Sequence, residues 1–229
     1  MAPHFRRRGL FGTIFLVLFS LAAALAIGFV ALALAYITVP PVSTLMLARW
    51  IRGEPTTRFY VPLKEISPNL RGAVIASEDS LFCRHHGVDW GALREVLDEA
   101  DEDGPARGAS TITMQTAKNV FLWPWRSAIR KGLEIPVALF IDFLWGKHRI
   151  LEVYFNIAEW GDGIFGAEAA AQHYFHKNAK QLSLQEAALL ASALPNPHLR
   201  DPAHPTRNLA RRAGTIAARV KNEDTSCVD

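Results

Sequence analysis

Polar and apolar positions divide the chain unevenly. From Leu10 to Val39 no charged residue occurs, and Leu, Ala, Ile, Phe and Val dominate the run. A helix needs about 20 apolar residues to cross a bilayer core, so this stretch predicts a transmembrane helix with length to spare for tilt. It is apolar on every side, unlike a helix that packs on a soluble core. The competing reading is a cleaved signal peptide, with Ala31-Leu32-Ala33 as the cleavage site. The run is longer than the usual apolar segment of a signal, which favours an anchor over residues 10–39.

Pro40 and Pro41 stop that helix, and residues 40–58 read as a connector. β-prone residues cluster from Phe59 to Val61. Beyond them the periodicity is helical. Ser67-Pro68-Asn69 predicts a helix start, with Leu70, Ala73 and Val74 at helical spacing. The acidic, Gly- and Pro-containing stretch 98–108 reads as a mobile surface loop. Ser110 to Asn119 predicts a polar-faced helix. Ser127 to about Trp145 predicts a long apolar-rich helix with a kink at Pro136, and Lys147 to Asn156 is amphipathic. Three glycines between Glu159 and Gly166 predict a loop, and Ala167 to Phe175 a helix. Ser183 and Glu186 have capping-box spacing ahead of Ala187 to Leu194, and Pro195-Asn196-Pro197 ends that helix. A basic helix over about 207–221 closes the pattern. The predicted architecture is mostly α: a basic tail at 1–9, the anchor, the connector, one α-helical domain over 59–222, and a tail at 223–229.

Composition adds three points. Half of the 229 residues are hydrophobic and 21% are charged, which suits an ordered domain with a core rather than a disordered chain. The net charge of +3 gathers in Arg6 to Arg8 and in Arg207, Arg211, Arg212, Arg219 and Lys221. Such clusters suit anionic lipid or phosphate as well as nucleic acid, but no nucleic-acid-binding motif accompanies them, so no nucleic-acid partner is expected. Arginines precede the apolar run and no comparable cluster follows it closely. The tail is therefore expected in the cytoplasm and the domain outside. Lastly, the two cysteines, Cys83 and Cys227, are too few for a disulfide framework, and no structural bridge is expected.

Candidate chemistry starts at "VIASEDSLFCRHHGVDW", 74–90. Glu78 follows a small apolar run, and position 82, one turn on, carries Phe rather than a cation. A carboxylate emerging from apolar walls suits proton abstraction near neutral pH; a solvated helix-end Glu is the alternative. His85 and His86 do not have metal-ligand spacing, so a hydrogen-bonding role is favoured. "RGASTITMQTAKN", 107–119, concentrates hydroxyls, an amide and Lys118 at a helix start, which suits an oxyanion as well as a capped surface helix. Arg126, Arg130 and Glu134 share a helical face, with Lys131 beside them, and an apolar run follows. Cations beside an apolar surface would suit a lipid-linked phosphate; a salt-bridge ladder on a core helix is the alternative.

Together these segments resemble the peptidoglycan glycosyltransferase family, the polymerase module of bifunctional penicillin-binding proteins and of monofunctional transglycosylases. Glu78, Asp79, Phe82, His85, Gly87 and Asp89 match its first motif. The second resembles Gly108 through Asn119, the third Arg130-Lys131 with Glu134, and the fourth "ILEVYFN", 150–156, with Gly161. The fifth resembles "AAAQHYF" with Leu182, Glu186, Ala187 and Pro195. Ala109 stands where a second Gly is usual, and Met114 where a Gln is common.

The resemblance implies a lysozyme-like α-helical fold with a small membrane-associated jaw. It implies polymerisation of lipid II into β-1,4-linked glycan with loss of a polyprenyl diphosphate. Glu78 would be the base and Glu134 a second catalytic carboxylate that orients cations. Asp79, Phe82, His85, Ser110, Thr111, Gln115, Lys118, Asn119, Arg126, Arg130 and Lys131 would bind substrate. No cofactor is expected, with a divalent cation such as Mg2+ at Glu134 left open. The implied partners are lipid II, the growing strand and membrane lipid, with other cell wall synthesis or division proteins left open. The implied location is the bacterial inner membrane, single-pass, with the domain periplasmic. Neither SxxK nor KTG occurs, so no transpeptidase activity is expected. The rivals are an anchored lytic enzyme on finished glycan, for which the cations would have no purpose, and a non-enzymatic envelope scaffold.

Overall fold

A computed structural model describes residues 6–99, 110–125 and 127–229. Two compact units divide at Val39 and Pro40. The first is built on α1 (Arg6–Ala35), of which Phe11–Ala35 is long and apolar enough to cross a membrane. Its large side chains, among them Phe11, Leu16, Leu25 and Ile27, are exposed, as befits a helix solvated by lipid.

The second unit carries α2 (Thr44–Ile51), β1 (Thr57–Arg58), α3 (Pro68–Glu78), α4 (Trp90–Glu99), α5 (Ile112–Phe121) and α6 (Ala128–Ile157). β2 (Glu159–Gly161), β3 (Ile164–Phe165), α7 (Ala167–Phe175), α8 (Leu184–Ala193) and α9 (Arg207–Val220) follow. The mostly α reading holds. Predicted caps are in place: Ser67 accepts from the Asn69 amide ahead of Pro68, and Ser183 with Glu186 closes a capping box.

Two packing groups position the site. α3, α8 and α9 pack together, and α5 packs along α6. Leu70, Ala73, Val74 and Ile75 of α3 are fully buried, and alanines of α8 let helices approach closely. At Gly72 a Cβ would lie 2.8 Å from a methyl of Val220, so α3 and α9 meet where only Gly fits without a shift. Glu152 of α6 accepts from the Leu63 amide at 2.9 Å and the Tyr60 hydroxyl at 2.8 Å, and from Arg149. Burial pushes its carboxyl up, but these three donors together hold it below the usual range.

Four expectations need correction. Residues 159–165 form a hairpin, not a loop: Gly161 lies in β2, Gly163 at φ 71° makes the Asp162-Gly163 turn against the Pro55 carbonyl, and Gly166 caps α7. β3 also pairs in parallel with β1, so the strand lies at Thr57–Arg58, just before the β-prone cluster. The break in α6 is at Gly146, φ 69° and ψ 167°, and not at Pro136, which the helix carries inside it. Glycine reaches positive φ without the steric cost a side chain meets there.

The fourth correction concerns the cysteines. Cys83 and Cys227 form a disulfide across a sequence separation of 144. After α9 the tail folds back on α3: the Arg71 guanidinium donates to the Val228 carbonyl at 2.7 Å and pairs with Asp229 at 3.1 Å. Val228 is buried by this return. Cysteine number and spacing in sequence say nothing about such a fold-back. The stretch read as a mobile loop falls, from residue 100 on, outside the described residues.

Candidate active site

Glu78 is the last residue of α3, half-buried where the helix leaves the core. Its Oε1 accepts from the Ser77 hydroxyl at 3.1 Å, and its Oε2 from Nε2 of Gln115 at 3.0 Å. Gln115 stands on the first turn of α5, whose start is held from two sides. Thr111 caps the helix and donates to the Gly87 carbonyl at 2.7 Å. Asp79 accepts the Ile112 amide at 2.9 Å.

Asp79, Phe82 and His85 form a largely buried group next to Glu78. Asp79 is buried and binds Nε2 of His85. Phe82 is fully buried, with the Lys147 ammonium 4.8 Å from its ring centre. Lys147 bridges on to Asp142 at 2.7 Å. This buried chain fixes the loop between α3 and α4, and Lys147 and Asp142 were not legible as parts of it. Asp142 does fall one turn ahead of Gly146, where a sequence reader could have sought a partner for the basic residue after a helix break.

In front of Glu78 is a cavity of about 350 Å3. Gln115, Lys118, Arg130, Lys131, Glu134 and Ser110 line it, with Leu194 and Pro195 beyond α8. The α6 start is capped by Ser127, which accepts from the Arg130 amide. One turn later Glu134, 3% exposed, gives one oxygen to Arg130 at 2.7 Å and the other to Lys131 at 3.0 Å. Lys131 also donates to the Ser110 hydroxyl at 2.6 Å. Both carboxylate oxygens are thus engaged by cations. That fits an organiser of positive charge and does not fit a ligand for a divalent cation, which would sit against two positive charges.

A smaller cavity of about 150 Å3 also borders Glu78, lined by Asp79, Ser80, Asp89, Ala92, Ser110 and Thr111. Glu78 and Ser110 border both spaces. The structure therefore brings together Glu78, Ser110, Gln115, Lys118, Arg130, Lys131 and Glu134. Thr111 stands at the edge, and Asn119 lines neither cavity; its backbone carbonyl accepts from Thr44 of α2 at 3.3 Å. Arg126 lies outside the described residues. Ser77, a donor to the key carboxylate, went unread, although a hydroxyl next to a helix-end Glu is a visible cue.

This constellation holds a carboxylate at the edge of a core facing a preorganised cation cluster. It can take a proton on one side while stabilising a departing anion on the other. The profile of the family described as Transglycosylase matches residues 45–221. A protein of Rhodospirillum centenum named biosynthetic peptidoglycan transglycosylase is 55% identical over 200 residues, covering 86% of this chain and 87% of the relative. Proteins with the same name are similar in Brucella suis, at 54% over 182 residues, 80% of this chain and 81% of the relative, and in Rhodopseudomonas palustris, at 53% over 182 residues, 79% and 77%.

Proposed function

The chain belongs to the transglycosylase family and is a peptidoglycan glycosyltransferase that builds glycan strands for the bacterial cell wall, and we propose that Glu78 is its catalytic base. The substrates are lipid II and the growing strand. Glu78 removes the proton from the 4-hydroxyl of the acceptor sugar. The oxygen attacks the anomeric carbon of the lipid-linked donor with inversion, and the polyprenyl diphosphate leaves. The observation that carries this reading is that Glu78 lines two cavities, with Lys118, Arg130 and Lys131 in the larger one. A base that joins a donor to an acceptor needs space on both sides. A diphosphate leaving group needs cations more than it needs a proton. Glu134 holds two of those cations in place and acts through them.

The surface around this cluster suits a lipid-linked substrate. Ile129 and Leu133, which alternate with Arg130, Lys131 and Glu134 at the start of α6, are exposed, Ile129 at 73%; Trp125 just before the helix is exposed too, and so is Phe143 further along it. Apolar side chains flanking a cation cluster match a bilayer surface carrying a diphosphate headgroup. We place the chain in the inner membrane by α1, with the arginines at 6–8 on the cytoplasmic side and the domain outside. The Cys83–Cys227 disulfide supports this, because such bonds persist in oxidising compartments.

The test supplies the purified protein with labelled lipid II or with finished glycan. Polymer from the first and no digestion of the second is the expected outcome. Digestion of glycan without polymer would move the activity to a lytic enzyme. Lys118→Ala should raise the KM for lipid II by about tenfold or more, the scale of one charge-assisted contact to phosphate.

A further inference from the structure

Tyr154 lies within the "ILEVYFN" stretch, 150–156, outside the residues that line the two cavities. It sits in the second half of α6, is 2% exposed, and is among the largest fully enclosed residues. A buried hydroxyl requires a hydrogen-bond partner. Its partner is Oε1 of Gln115, at 3.3 Å. The other end of the same amide, Nε2, is the group that faces Oε2 of Glu78 at 3.0 Å.

These two contacts fix each other. An ionised carboxylate only accepts, so Gln115 has to show it nitrogen; a flipped amide would set oxygen against oxygen. With nitrogen toward Glu78, the amide oxygen faces the phenol, which then has to donate. Burial, and next the negative charges of Glu78 and Asp79, push the Tyr154 phenol well above its ordinary pKa, so it stays a donor. Around Glu78 the other charged groups are Lys118, Arg130, Lys131 and Glu134 in the larger cavity, with Asp79 and Asp89 beside the smaller one. None of the hydrogen bonds described for Gln115 comes from these charged groups.

We propose that Tyr154 is a positioning residue for proton transfer: by donating to Oε1 of Gln115 it locks the amide with Nε2 on Glu78, and so holds the carboxylate aimed at the acceptor hydroxyl. The inference rests on the reading of Glu78 as the base. Tyr154 touches no substrate and acts only through Gln115. Its effect therefore belongs to kcat and vanishes when Gln115 is gone.

The experiment measures lipid II polymerisation by the full-length protein, with thermal melting of each variant alongside. Tyr154→Phe keeps the ring and removes the hydroxyl. It should lower kcat by about tenfold, a fraction of what a general base contributes, with KM within about twofold. In a Gln115→Ala background the same change should cost nothing further, because the two residues act as one unit. A normal kcat in Tyr154→Phe, or losses that multiply in the double variant, would overturn the proposal. If Tyr154→Phe does not stay folded, Gln115→Met takes its place. That side chain neither accepts from Tyr154 nor donates to Glu78, so it must show the same kcat loss, and normal turnover would overturn the relay. Glu78→Gln separates the two readings. A silent Glu78→Gln with normal Tyr154→Phe removes the base assignment itself, whereas an inactive Glu78→Gln beside a normal Tyr154→Phe removes only the role of Tyr154.

Discussion

Nε2 of His85 lies 2.8 Å from one carboxylate oxygen of Asp79 and 3.0 Å from the other. With the Ile112 amide on the same group, Asp79 is committed to joining the α3–α4 loop to the start of α5. Its neighbour Glu78 shares the smaller cavity with it and alone of the two also lines the larger, cation-lined one. Adjacent carboxylates thus divide into one bound up in scaffold contacts and one that lines the cation-rich cavity.

The cation cluster should depend on Glu134. Glu134→Gln leaves the buried Arg130 guanidinium without its counter-charge, which should cost about 3 kcal/mol in stability. Arg130 and Lys131 would no longer be held where the diphosphate charge develops, and kcat/KM should fall about a hundredfold. Urea denaturation and initial rates on lipid II check the two parts. Mg2+ should not restore the variant, since the carboxylate organises cations rather than binding a metal.

The disulfide should act on stability more than on chemistry. It closes a long loop and pins the returning tail to the segment that follows Glu78 and Asp79. Cys227→Ser should cost about 2–5 kcal/mol, and lower the thermal midpoint by on the order of 10 °C. Below that midpoint polymerisation should continue. Melting curves with and without reductant check this, and an unchanged midpoint would contradict it.

Sequence legibility followed the range of the interactions. Local rules were readable: the caps at Ser67 and Ser183, the α7 boundaries at Ala167 and Phe175, and the basic α9 from Arg207. The cluster of Arg130, Lys131 and Glu134 was readable because its spacing is helical. What remained hidden depends on distant chain segments. The Cys83–Cys227 bond and the Arg71 contacts with the tail need the fold-back after α9. The hairpin at 159–165 was masked because its glycines read equally as loop residues. Tyr154 was legible only as one position of the "ILEVYFN" stretch, and only the packing of α5 along α6 shows its hydroxyl next to Gln115.

The Glu152 network should shape stability at both ends of the pH scale. Its carboxyl is held below the ordinary value near 4.3. The stabilisation is complete above about pH 4.3 and is lost as pH falls through the lower folded value. Burial, reinforced by the hydrogen bond to Glu152, pushes the Tyr60 phenol up to about 12. That contribution is complete below about pH 10 and is lost as pH rises toward 12. Melting temperatures measured across pH should show both slopes, and Glu152→Gln should flatten the acid one.

The central claim is that Glu78 accepts the proton of the acceptor hydroxyl in front of a fixed cation cluster. The most direct measurement compares wild type with Glu78→Gln on labelled lipid II in detergent, with products resolved on a gel. Gln at position 78 keeps the size and loses the basicity. The account predicts a polymer ladder from the wild type and none from Glu78→Gln, although the variant still melts as a folded protein and still binds lipid II. A ladder of similar rate from both proteins would contradict it.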